Sequence, residues 1–195
     1  MDRRSRPDPE VELTVTLATP THQDPGASIP TVRWKRGHQA FHLYLVAMNG
    51  VLNDALLALD AGEQSALTAS LRDLAVLYDA ATAGMKYAAD FATEDYETVV
   101  RPSMMPPFVN PGFSGLLNRD HAVMLNQLRS LRTQLVSTLG REQSEWPPAA
   151  SAAMQAVRVA QQRNRAHHML VCRKFVSDGV SLLRDFYANQ RTSKE

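Results

Sequence analysis

The stretch RWKRGHQAFHLYLVAMNGVLNDALLALD, Arg33 to Asp60, decides the fold class. Trp34, His38, Phe41, Leu45, Met48, Leu52, Leu56 and Leu59 recur at spacings of three and four. Side chains so spaced share one side of a helix, so the stretch predicts a long helix with one apolar edge to bury. Asp60 to Gly62 breaks that helix, and a second one follows with Leu67, Leu71, Leu74, Leu77, Tyr78, Ala81 and Met85 at the same spacings. Two such neighbours joined by a short break should pack as a hairpin.

Working outward, the stretch from Met1 to Pro30 carries five prolines and one short apolar alternation, Val11, Leu13, Val15 and Leu17. It reads as an N-terminal arm, residues 1–32, with at most one strand-like stretch. The helical domain is expected over 33–195. Thr93, followed by Glu94 and Asp95, is expected to cap a short helix through Val100, because a hydroxyl accepts from free amides and acids suit the positive end. Next comes RPSMMPPFVNPGFSG, 101–115, whose four prolines and two glycines between large apolar residues read as an ordered loop. Leu117, Met124, Leu125, Leu128, Leu131 and Leu135 mark a third long helix, with Gly140 as its terminator. Pro147 and Pro148 fit the start of a last helix, which runs almost to the C-terminus with Gly179 its weak point. The fold class is all-α, a helical bundle with an inserted loop.

The chain has 195 residues and a formal net charge of +1, enough for one domain and no basis for binding nucleic acid or an acidic membrane surface. Cys172 is the single cysteine and has no internal partner. No uninterrupted apolar run approaches the roughly 20 residues that span a bilayer. The opening MDRRSRPDPE lacks an apolar segment behind its charges, so a cytoplasmic location is expected.

The chain lacks a Glu-x-x-His pair for a carboxylate di-iron centre, a Gly-rich phosphate loop after a strand, and a cysteine pair for zinc. Histidines remain. Of six, His38, His42, His167 and His168 fall inside expected helices, and for each the plain alternative is a hydrogen-bonded core histidine. His38 and His42 lie four apart, a spacing that can hold a metal. His168, Cys172, Phe175, Val176, Gly179 and Leu183 share a face expected to look inward. His167 falls beside Val171, Lys174 and Asp178 and should be less buried, making His168 the better ligand candidate. An imidazole there could ligate haem iron with the Cys172 sulfur near the macrocycle edge; equally, Cys172 could be a small buried apolar residue.

Three segments, in order, resemble the tryptophan 2,3-dioxygenases and related histidine-ligated haem-dependent aromatic oxygenases. GHQAFHLYL, 37–45, resembles that superfamily's distal segment, which implies His38 as the distal residue. FATEDYETVVRPSMMPPFVNPGFSGLLNR, 91–119, resembles the stretch leading from a Glu-Tyr helix to a carboxylate-binding arginine and a Gly-Phe loop beside the haem. The resemblance gives those places to Arg101, Gly112 and Phe113. RNRAHHMLVCRKFV, 163–176, is similar to the proximal helix. Matching Arg173 favours His167 as axial ligand, whereas Arg165, Phe175 and Val176 favour His168, which we take.

This chain departs from the pattern in three ways. Arg101 stands one residue further from Tyr96, the Gly/Thr-rich loop after the proximal helix is reduced to Ser177–Gly179, and the segment from His121 to His167 is short. Bacterial tyrosine hydroxylases of the superfamily include members with a His-x-x-x-Cys motif and a thioether to the haem, and His168 to Cys172 is similar. The resemblance implies a haem-dependent oxygenase that takes an aromatic amino acid or indole-like metabolite with dioxygen or peroxide. His168 would hold the iron, His38 would act on the bound oxygen or substrate, Arg101 would hold a carboxylate, and Phe41, Phe108 and Phe113 would wall the ring. A homo-oligomer is expected. The alternatives are a haem-binding sensor or carrier without turnover, and a purely structural bundle.

Overall fold

The computed structural model describes residues 28–105, 107–109 and 118–176. Along the chain these form α1 (Ile29–Asp60), α2 (Gln64–Ala88), α3 (Thr93–Asp95), a π-helical turn (Tyr96–Val100), α4 (Arg101–Ser103), α5 (Arg119–Leu139), a 3-10 turn (Gln143–Glu145) and α6 (Pro148–Phe175). No strand occurs among the described residues, and the alternation at Val11 to Leu17 lies outside them.

The long helices begin and end where side-chain chemistry dictates. The Ser28 hydroxyl accepts from the Thr31 amide, so α1 starts at Ile29, four residues before the expected position, with Pro30 in the first turn where no N–H is missed. Gly62, at φ +72°, turns the chain into α2. Asn118 caps α5 by accepting from the His121 amide, and Gly140 at φ +102° ends it. Pro148 opens α6 as its composition implied. Thr93 does not cap: the helix begins one residue earlier in effect, with Ala92 at the cap, and the Thr93 hydroxyl instead donates to the Lys174 carbonyl.

α1 packs on α2 and α5, and α2 packs on α6. Leu45, Met48, Leu52, Leu71, Leu74, Leu128, Leu131, Leu135, Met154 and Val157 fill the space between the four long helices. Each buried leucine contributes on the order of 2 kcal/mol relative to exposure. A Cβ on Gly37 would lie 2.3 Å from the Ala88 Cβ, so that glycine lets the start of α1 close on the end of α2. Trp146, buried, donates from Nε1 to the Gly140 carbonyl at 2.8 Å and ties the α5–α6 linker down.

At the far end lies a second, aromatic cluster. Ala89, Tyr96, Val100, Met104 and Phe175 form it, with Trp34, Phe91, Val171 and Val176 packed against them. The outer edge of α1 is also apolar: Leu43, Val46 and Leu57 are 67%, 50% and 60% exposed. By length and composition α1 is long and apolar enough to cross a membrane, with a mean hydropathy of 1.3 over 18 residues. Here its inner edge forms part of the core instead.

Candidate functional site

Two histidine neighbourhoods stand out: His38 on α1 beside the aromatic cluster, and His121 at the start of α5 with His168 on α6. His38 lies against Trp34, ring centroids 4.3 Å apart, and its Nδ1 donates to the Trp34 carbonyl at 2.8 Å. Donation from Nδ1 makes Nε2 the unprotonated nitrogen of the neutral ring. Burial pushes the His38 imidazole below its usual range, and the bond to Trp34 only partly offsets this. His38 is therefore a neutral base at pH 7. Trp34 is itself held by edge contacts to Phe91, Tyr96 and Phe175 and by a bond from Nε1 to the Met104 sulfur at 3.0 Å.

His121, from the first turn of α5, extends the site. Its ring lies 6.5 Å from that of Phe41, and its pKa is lowered first by burial and then by the neighbouring His168. His168 in turn is in contact with Cys172, whose sulfur is 3.8 Å from Nδ1. Burial raises the Cys172 thiol, keeping it protonated, and the thiol lies near enough to Tyr96 to act on its titration. α5 and α6 thus bring two imidazoles together, and α1 carries a third among aromatic rings. The sequence reading had not singled out His121; its signal was its place one turn before Leu125 and two before Leu128, on the side of α5 that carries core residues.

Two expectations about α6 are corrected. His168 is exposed and His167 half-buried, the reverse of the predicted order. The helix packs on α2, so its buried edge runs through Val157, Ala160, Gln161 and Phe175, and near the C-terminal end His167 and Val171 turn toward α2. His167 lines a shallow cleft of about 420 Å³ with Lys86, Tyr87, Asp90, Val171 and Lys174, apart from His38 and Cys172. His168 and Cys172 share a face as expected, but that face lies to the side of the α2 contact.

His42 does not join His38. It is exposed, with Nδ1 3.7 Å from an Asp120 carboxylate oxygen. Phe41 is half-buried against the core edge, but Phe108 is 76% exposed and walls nothing in the described structure. Gly112 and Phe113 lie outside the described residues.

Arg101 follows the π turn, its amide donating to the Tyr96 carbonyl five residues back. A turn of that kind takes one more residue than an α turn, so Arg101 stands one π turn past Tyr96. The Arg101 guanidinium is held by both Glu97 carboxylate oxygens, at 3.0 and 3.1 Å.

A compact metal ion would need three or four converging side chains, and the described residues hold no group of three His, Cys, Asp or Glu placed for one. A haem brings four nitrogens of its own and asks for one or two imidazoles and an apolar wall. The donors present fit the second requirement: His168 neighbours His121, whose ring has Phe41 beside it, and His38 lies against Trp34.

The fold and site define a protein, all-helical over its described residues, that sets one neutral imidazole among aromatic rings and two neighbouring imidazoles across α5 and α6. Residues 4–156 match the model of the SfmD 3-methyl-L-tyrosine peroxygenase family, and the chain belongs to that family. It is 32% identical over 163 residues to the 3-methyl-L-tyrosine peroxygenase of Streptomyces lavendulae, an alignment covering 82% of this chain. The chain spans 40% of the length of that relative. No solved structure matches. The matched span contains His38, Phe41, Arg101, Phe108, Gly112, Phe113 and His121, while His167, His168 and Cys172 follow it.

Proposed function

We propose that the protein is a haem-dependent oxygenase that transfers oxygen from peroxide to the ring of a tyrosine-like amino acid. The observation that carries this reading is the neighbouring of His121 and His168 across α5 and α6, with Phe41 beside His121 and a neutral His38 against Trp34, in a chain of the peroxygenase family. The link to the wider tryptophan 2,3-dioxygenase superfamily rests on the sequence resemblance. His168 would be the axial ligand: it is the imidazole with Cys172 one turn along, so a thiol lies close to the edge of whatever the imidazole holds. When bound, the haem would supply the oxidising chemistry that no side chain offers.

The chain's own residues orient and move protons. His38, neutral and anchored through Nδ1, would take a proton at Nε2 from peroxide or from the substrate's phenol. Arg101 would hold the amino acid's carboxylate after giving up Glu97, which takes only its Nη1, since a guanidinium can offer two parallel donors to a carboxylate. Trp34 and Phe41 would press on the substrate ring and exclude water.

The test is reconstitution with haem followed by addition of peroxide and tyrosine or 3-methyl-L-tyrosine. The reading expects a Soret band, a spectral change on adding the amino acid, and a hydroxylated product. A Soret band without product or ligand response would favour a sensor or carrier, for which the Glu97 hold on Arg101 is the motivating feature. Colourless protein would leave a structural bundle.

A further inference from the structure

Between α5 and α6 three guanidinium groups gather without an acid. Arg132 reaches from α5 and donates to Gln161 Oε1 on α6. Gln161 is buried and donates to the Tyr78 hydroxyl at 2.8 Å, which donates in turn to the Met124 sulfur. The Arg132 head is thus seated on a buried chain of hydrogen bonds. Arg158 precedes Gln161 by three residues and Arg165 follows it by four, so both leave α6 on the side that Arg132 meets. Arg158 donates to Gln143, and Arg165 has no hydrogen bond or ion pair among the described residues. The ion pairs of the described residues use Arg33, His42, Arg101 and Arg163, never these three arginines.

Their mutual influence is visible on Arg132. Burial lowers its affinity for its proton, the Tyr78 hydroxyl offsets part of that, and the charges of Arg158 and Arg165 lower it again. Arg158 and Arg165 are exposed, and like charges gathered along one side of a helix repel until an anion comes between them. A carboxylate suits the space, because each guanidinium presents two parallel donors to it.

We propose that Arg132, Arg158 and Arg165 form a carboxylate-binding groove between α5 and α6. The groove runs to the imidazoles: His168 is three residues past Arg165, about 4.5 Å further along the helix axis. A ligand with its carboxylates on the arginines would therefore extend along α6 toward His168. The two propionates of a haem meet that demand, as does the single carboxylate of an amino acid, and the first assignment rests on the haem reading above while the groove itself does not.

Titration of the full chain with haemin and with its propionate dimethyl ester, followed in the Soret region, tests the first source. The wild type should bind haemin about tenfold or more tighter than the diester, and Arg132→Gln and Arg165→Gln should each lose most of that preference. Binding of tyrosine against tyramine, measured by calorimetry on the haem-free chain, tests the second source with the same variants. Arg165→Gln carries a readout independent of any ligand: relief of repulsion should raise the melting temperature of the haem-free protein by about 1–2 °C. If the wild type binds neither porphyrin, the haem reading falls and the groove is judged by tyrosine against tyramine alone. Equal binding of both members of both pairs, or a preference that both variants retain, overturns the groove.

Discussion

The two ends of this bundle are built from different materials. Where α1, α2, α5 and α6 pack together, leucine and methionine interlock and nearly every side chain is aliphatic. At the other end, Trp34, Phe91, Tyr96 and Phe175 pack in a smaller cluster, with His38 against Trp34 and Cys172 close enough to Tyr96 to act on it, while His121 and His168 neighbour each other across α5 and α6. The aliphatic part needs nothing further to be stable, since its apolar surface is already removed from water. The aromatic end places titratable groups where burial disfavours their charge, which is what a site costs in stability. Stability and chemistry are thus separable along the bundle, and substitutions should sort accordingly.

The largest effect is expected in the aliphatic part. Leu131, wholly buried, should lose about 2–5 kcal/mol on Leu131→Ala, read as a shifted urea midpoint, while haem bound per folded molecule stays constant. Haem loss in proportion to the lost stability would show that the two ends are coupled.

Gly37 lies where the ends join. Gly37→Leu should force α1 away from Ala88 and cost at least about 1–3 kcal/mol, disturbing the neighbouring His38 as well. Gly50, on the same helix with open space around it, provides the control: Gly50→Ala should stabilise by up to about 1 kcal/mol. Equal penalties at the two positions would mean that the close approach at Gly37 does not matter.

A pH effect should belong to the aromatic end alone. His38 and His121 both titrate below the ordinary 6.5, mainly through burial. The unfolded chain then binds more protons than the folded one as pH drops through and below 6.5, so stability is complete above that value and is lost as pH falls toward the lowered folded pKa values. Urea midpoints at pH 7.5 and 5.5 should differ in the wild type and converge in a His38→Gln, His121→Gln double variant. An unchanged slope in that variant would place the acid sensitivity elsewhere.

A smaller effect tests the π turn. Deleting Thr98 should restore ordinary α spacing between Tyr96 and Arg101 and change stability by no more than about 1 kcal/mol, with the response to added amino acid retained. Loss of that response would show that the extra residue does more than carry Arg101 around the helix.

Much of the aliphatic part was legible in the sequence because a repeat of three and four residues reports burial directly. Leu45, Met48, Leu52, Leu67, Leu71, Leu128 and Leu131 all fell where the spacing put them. The histidine end was less so, since periodicity gives a residue's side of its helix but not which neighbour covers that side. His168 and Cys172 do share a face, yet α6 packs on α2 and leaves His168 exposed while His167 turns inward. Thr93 was expected to cap, a reading that local chemistry permitted and the Lys174 carbonyl from another helix overrode. His121 drew no attention because its partner, His168, is distant in sequence.

The central claim is that the aromatic end holds a haem through His168. Haem titration of the wild type, His167→Ala and His168→Ala, with the low-spin or high-spin Soret and visible bands recorded for each, tests it most directly. His167→Ala should keep the wild-type spectrum, and His168→Ala should lose either the haem or its axial-ligand bands. An unchanged spectrum in His168→Ala, with loss in His167→Ala, would contradict it and move the ligand to the α2 side of the helix.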